Sequence, residues 1–180
     1  MKPLKPFQAA IFDLDGTLLD SLGVWTEVDR KFLFKRGIPV PPDYQHVVKT
    51  MNFPEAAEYT VARFALTESP AAIMSEWMQM TREIYATEVT AKPYAREYLQ
   101  ALSAKGVKLA VATSSTPELF LPALERNGIQ HFFSAFVTTE EAGKGKRFPD
   151  VYLKAARRLN TEPHSFAVFS EVITQSIEHI

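Results

Sequence analysis

The chain has 180 residues and a formal net charge of −1, room for one main domain with an insertion and too little positive charge for an electrostatic nucleic-acid binder. It has no cysteine, which excludes a disulfide framework, a thiolate metal site and a cysteine nucleophile. Residues 1–7 are too short and polar a stretch for a signal peptide, and no apolar run reaches the length of a bilayer span. A soluble, cytoplasmic protein that binds neither nucleic acid nor membrane is expected.

The first element is Ala9 to Phe12, four apolar residues that read as a short, fully buried strand. It runs directly into Asp13, Asp15 and Gly16. Carboxylates are rarely buried without partners, but at the carboxyl end of a strand in an open α/β sheet they lie in the crevice where ligands bind. Two acids this close repel each other unless a cation or a shared proton intervenes. A divalent metal is implied, and hard oxygen ligands suit Mg²⁺. The bland alternative is a strand followed by an ordinary Asp-Gly turn.

Helical spacing follows. Val24, Val28, Phe32 and Leu33 form one apolar stripe, ended by Gly37 and the stiff Pro39, Pro41 and Pro42. A second helix starts near Asp43. A third spans about Pro54 to Ala65, with Ala57, Val61, Phe64 and Ala65 inward. A fourth runs from about Pro70 to Ala86 on Ile73, Trp77, Met80 and Ile84. Residues 22–90 therefore read as an all-helical insertion, with crossings near Asp20–Leu22 and Thr87–Lys92.

From Pro93 the pattern returns to α/β. A helix carries Tyr98, Leu99 and Leu102 on its apolar face and ends at Gly106. Val107–Ala112 is the second buried strand, followed by Thr113, Ser114 and Ser115. Pro117 opens a helix, a third strand lies near Ala135–Thr138, and a loop holds Lys144 and Lys146. Pro149 opens another helix to about Leu159, and Phe166–Phe169 is the fourth strand. Such alternation predicts a doubly wound parallel sheet. The core is residues 1–21 and 91–180. Thr113, at the end of one buried strand, would share a crevice with Asp13, where its hydroxyl and nearby backbone N–H groups could hold phosphate oxygens; capping the next helix is the plainer role.

The stretch Asp13-Leu-Asp-Gly-Thr-Leu-Leu-Asp-Ser21 resembles the first motif of the haloacid dehalogenase-like phosphohydrolases. The resemblance implies that Asp13 is the nucleophile, forming an aspartyl-phosphate, and that Asp15 is the general acid/base. Gly16 then lets the backbone turn sharply beside the phosphate. Val111-Ala-Thr113-Ser114 is similar to the second motif, with Thr113 and Ser114 as phosphate or substrate contacts. Lys146-Arg-Phe-Pro-Asp150 is similar to the third, with Lys146 neutralising the charge around Asp13; Lys144 and Arg147 are nearby basic alternatives. The helical insertion stands where the family carries a cap that closes over the site and selects the substrate. Trp25, Met51, Asn52 and Arg63 are candidates to face it.

At the fourth motif the match weakens. The family usually has an acid pair here; Ser170 stands at the first position and Glu171 at the second, and the following glycine is replaced by Gln175. Glu171 is the remaining candidate for a metal ligand beside Asp13 and Asp15. The part of the core after this motif is also short, which suggests a shortened or altered carboxyl end. The resemblance implies a Mg²⁺-dependent phosphatase acting on a small phosphorylated metabolite. A phosphosugar mutase similar to beta-phosphoglucomutase is the alternative, although its His ten residues beyond the second Asp is replaced here by Trp25. A phosphate-binding or partner-binding member without turnover is another alternative. A dehalogenase would not need Asp15.

Overall fold

A computed structural model describes residues 7–162 and 165–170. Glu171 and Gln175 lie outside the described residues. Gly23–Glu88 form one compact unit, and the described residues on either side form another.

The second of these is an α/β unit. Among the described residues its sheet is four-stranded and parallel, in the order β3-β2-β1-β4. The strands are β1 (Ala9–Phe12), β2 (Lys108–Thr113), β3 (Phe133–Thr138) and β4 (Phe166–Phe169). Parallel strands require crossovers, and helices supply them. These are α5 (Ala95–Ala104), α6 (Pro117–Arg126), α7 (Thr139–Ala142) and α8 (Asp150–Arg158). Both faces of β1 are buried, which is why it reads as a continuous apolar run. Ala9 and Ile11 join Ala110, Ala112, Ala135 and Val137 under the apolar face of α8. Phe12 belongs to an aromatic group on the other side, stacked on Phe169 at 4.7 Å and edge-on to Tyr98 and Phe133.

The helical unit contains α1 (Val24–Lys35), α2 (Tyr44–Val48), α3 (Phe53–Phe64) and α4 (Pro70–Thr87). α1 buries Val24, Val28, Phe32 and Leu33, the four residues of its sequence stripe. α3 begins with a capping box in which Asn52 and Glu55 satisfy each other's backbone N–H. α4 opens on the Ser69 cap with Pro70 in its first turn. Arg36 lies 3.7 Å from the Phe32 ring centre and bridges Glu68 and Glu76, both at 2.7 Å, tying the end of α1 to α4 and the loop before it.

Three local expectations change. α5 starts at Ala95 rather than Pro93, because Tyr94 takes a left-handed conformation with φ of 64°. Tyr98 is 42% exposed, its ring in T-shaped contact with Phe12 and Phe169. Ala65 is exposed as the left-handed carboxyl cap of α3, and Ala56 and Thr60 take the inward places. β4 stands where the sequence places the fourth strand; it is half-buried and among the described residues pairs only with β1. The single turns of α7 and Gln130–Phe132 are too short to leave a periodic signal.

The strands on either side of the insertion are pinned together. Asp20 N–H donates to Thr90 O at 2.9 Å, Lys92 N–H donates to Leu18 O at 2.8 Å, and Leu19 bridges Ala91 antiparallel. Asn127, at the end of α6, accepts from Ala91 N–H at 2.7 Å and donates to Val89 O at 3.0 Å and Ala123 O at 2.8 Å. Arg126 also donates to Val89 O.

Candidate active site

The parallel register fixes where the site forms. Phe12 pairs with Val111 on one side and Phe169 on the other. Asp13, Thr113 and Ser170 therefore emerge together at the carboxyl ends of β1, β2 and β4, the edge of an open α/β sheet that receives ligands. Asp13 keeps the strand ladder for one more step, its N–H donating to Phe169 O at 2.9 Å.

Asp13 is buried, and its carboxylate is compensated. Oδ1 accepts from Leu14 N–H at 2.7 Å and forms an ion pair with the Lys146 Nζ. Oδ2 receives only a long contact of 3.5 Å from the Ser170 hydroxyl. Lys146 comes from the loop between α7 and α8, shaped by Phe148 N–H donating to Gly145 O at 3.0 Å and by the Lys144–Asp150 pair at 3.3 Å. The structure thus brings Lys146 to Asp13, uses Lys144 to hold the loop, and leaves the Arg147 guanidinium over Phe148. A buried carboxylate needs such a partner, and removing it would leave an uncompensated charge.

Asp15 lies two residues further on, in a loop folded back on itself. Gly16 N–H donates to Leu19 O, while Leu18 and Leu19 N–H both donate to Leu14 O. Gly16 has φ of 77°, a conformation that costs a residue with Cβ and costs glycine little. The fold-back returns Ser21 to Asp15, whose Oδ1 accepts from the Ser21 hydroxyl at 2.7 Å.

Thr113 is fully buried. Its hydroxyl accepts from Ser115 N–H at 3.0 Å and so shapes the turn that leads into α6. As an acceptor there, it keeps its own proton for another oxygen. Ser114, at the turn's outer position, is exposed.

Two neighbours of Asp13 carry little local sequence signal. Tyr152, on α8, is buried and within hydrogen-bonding reach of Ser170. Burial and the charge of Asp13 raise its phenol above the ordinary value, partly offset by Ser170. Ser21 sits inside the first motif, but only the loop's return shows what it touches.

The donor set fits Mg²⁺. Among the described residues no cluster of three or more His, Cys, Asp and Glu side chains forms a closed metal cage. Mg²⁺ commonly takes one or two carboxylates and completes its shell with water and substrate phosphate. Asp13 and Asp15 are the candidate carboxylates, and among the described residues Asp13 Oδ2 receives only the 3.5 Å contact from Ser170.

Comparison with known proteins agrees with this geometry. A family model described as haloacid dehalogenase-like hydrolase matches residues 10–170. A phosphorylated carbohydrates phosphatase of Thermotoga maritima is 26% identical over 164 residues, covering 91% of this chain and 76% of that protein. A phosphoglycolate phosphatase of Agrobacterium fabrum is 33% identical over 141 residues, covering 74% of this chain and 58% of that protein. A crystal structure from Thermotoga maritima, assigned provisionally as a beta-phosphoglucomutase, superposes with a TM-score of 0.82 at 25% identity, covering 89% of this chain and 74% of that one. By family and by these relatives, the chain belongs to the haloacid dehalogenase-like hydrolases and is a phosphoric monoester hydrolase.

Proposed function

We propose that the chain is a Mg²⁺-dependent phosphatase of small phosphorylated metabolites that works through an aspartyl-phosphate on Asp13. The observation that carries this reading is the buried Asp13 carboxylate at the end of β1, held by Leu14 N–H and Lys146 and left with one lightly engaged oxygen. That oxygen attacks phosphorus, and the bond from phosphorus to the substrate's ester oxygen breaks. Asp15, oriented by Ser21, gives its proton to the leaving oxygen. It then takes a proton from the water that attacks the same phosphorus, releasing phosphate and restoring the Asp13 carboxylate. Lys146 offsets the negative charge gathered between Asp13 and the phosphoryl oxygens, and Thr113 donates its free proton to one of them. Gly16 and Ser114 line the approach. Asp13 and Asp15 would hold Mg²⁺, with Glu171 a further candidate ligand; the ion supplies charge stabilisation at the phosphoryl group.

The phosphatase names of the two relatives support a small phosphorylated substrate. The helical unit is read as the cap, the element that selects the organic part of that substrate. A mutase reading is disfavoured by Trp25, which cannot shuttle protons where the similar mutases carry His. A phosphate-binding member without turnover is favoured by one feature, the neutral Ser170 hydroxyl facing Asp13. Phosphate release from sugar phosphates, nucleotides and p-nitrophenyl phosphate, with Mg²⁺ and with a chelator, separates the two. Release that chelator abolishes supports the phosphatase. Stoichiometric phosphate binding by folded protein without release supports the silent member.

A further inference from the structure

The proposed reaction leaves a buried polar group of the α/β unit unused, the Tyr152 phenol. Tyr152 lies in the first turn of α8 and is buried where that helix packs on Ile11 of β1. Its hydroxyl is within hydrogen-bonding reach of Ser170, and it feels the charge of Asp13. Ser170 directly follows β4. Because Phe12 pairs with Phe169, the next residues of the two strands, Asp13 and Ser170, stand side by side. The sheet order puts β2 and β4 on opposite sides of β1, so Thr113 and Ser170 flank Asp13.

The available protons fix the direction of this chain of hydroxyls. Asp13, the carboxylate paired with Lys146, only accepts, so the Ser170 hydroxyl donates in its 3.5 Å contact with Oδ2. Its one proton is then spent, and it can only accept from the Tyr152 hydroxyl. Both hydroxyls thus point toward the nucleophile, each polarising the next. The contact with Oδ2 is too long to stabilise the resting carboxylate strongly. The donor is therefore held ready but lightly used, and interactions that tighten only in the transition state are the ones that raise the rate.

We propose that Ser170 is a further catalytic residue, whose hydroxyl turns from Asp13 Oδ2 to a phosphoryl oxygen as the aspartyl-phosphate forms, and that Tyr152 is the positioning residue behind it. Once Oδ2 bonds to phosphorus it carries less charge and accepts poorly, while the phosphoryl oxygens beside it gather charge. The half-buried Ser170 hydroxyl is free to rotate between the two acceptors. No proton is transferred: Ser170 keeps its own, and Tyr152 goes on donating to Ser170. The phosphoryl group in flight has three equatorial oxygens, and Ser170 adds a neutral donor to those that Lys146 and Thr113 supply. This role rests on the phosphatase reading for the reaction, but vanadate binding tests it without turnover.

The test uses the full chain with Mg²⁺, as wild type, Ser170→Ala, Ser170→Thr, Tyr152→Phe and the double variant Tyr152→Phe/Ser170→Ala, each confirmed as folded by thermal melting. With p-nitrophenyl phosphate, kcat is expected to fall by about 10–100-fold in Ser170→Ala and about threefold or more in Tyr152→Phe, with KM unchanged. Ser170→Thr, which keeps the hydroxyl, is expected to retain most of the rate. The double variant is expected to match Ser170→Ala within about twofold, because Tyr152 acts only through the serine. Calorimetric titration of orthovanadate, which copies five-coordinate phosphorus, is expected to show affinity about tenfold or more weaker in Ser170→Ala, and that of inorganic phosphate a loss below about threefold. An unchanged kcat in Ser170→Ala, or single-variant effects that multiply in the double variant, overturns the assignment and leaves the phosphatase standing. Vanadate binding that weakens in the expected order, with no phosphate release by the wild type, overturns the phosphatase reading and leaves the hydroxyl chain in place. A wild type that neither releases phosphate nor binds vanadate overturns both.

Discussion

At the scale of single residues, the chain spends stability at three points. The first is the Lys146–Asp13 pair, which places two charges in a largely buried setting. Lys146→Met removes the positive charge aimed at the phosphoryl group, and kcat/KM is expected to fall by about 10²–10³ with the far-ultraviolet circular dichroism unchanged. The second is Tyr94, held at φ of 64° and 80% exposed. A left-handed conformation costs a non-glycine residue about 1–2 kcal/mol, and little packing offsets it here. Tyr94→Gly is expected to raise the melting temperature, as read by calorimetry. The third is Asp29, whose carboxyl burial raises from its ordinary 3.8 to about 7. The unfolded chain ionises first, so folding loses stability as pH rises between those two values, and the loss is complete above about 7. Asp29→Asn, which cannot ionise, is therefore expected to melt with the wild type near pH 4 and above it near pH 8. A constant difference across that range would remove Asp29 from the pH dependence.

At the scale of elements, the legibility of the sequence follows how local each cause is. β1 and β2 were readable because both of their faces are buried, which writes an apolar run directly into the sequence. α1 and α4 were readable because each buries one stripe. The start of α5 was misplaced because Pro93 is a usual opening residue and nothing local announces a left-handed tyrosine after it. Of the candidate site, Asp13, Asp15, Gly16, Thr113 and Lys146 stood in short motifs. Ser21 and Tyr152 were not assigned, because their partners arrive through a folded loop and through the docking of a helix. Asn127 was legible only as a helix end. It ties the end of α6 to Ala91 and Val89 through two hydrogen bonds, of 2.7 and 3.0 Å, and is held in place by a third, of 2.8 Å, to Ala123 O within its own helix. Asn127→Ala leaves Ala91 N–H without this acceptor and is expected to cost about 2 kcal/mol in urea unfolding. A cost below about 0.5 kcal/mol would mean that water replaces the clamp.

At the scale of the molecule, the chain forms two compact units, Gly23–Glu88 and the described residues on either side of it. The α/β unit carries the groups proposed to act on phosphate, all at the carboxyl edge of its sheet. The helical unit is proposed as the element that selects the rest of the substrate. No helix among the described residues is long and apolar enough to cross a membrane. The central claim is that Asp13 itself accepts the phosphoryl group. The direct measurement is peptide mass spectrometry after rapid acid quench of the enzyme turning over p-nitrophenyl phosphate with Mg²⁺. The peptide containing Asp13 is expected to carry the mass of one phosphoryl group, and the Asp13→Asn peptide to carry none. Turnover with no phosphorylated enzyme at any quench time, or hydrolysis at the wild-type rate by Asp13→Asn, would contradict the mechanism.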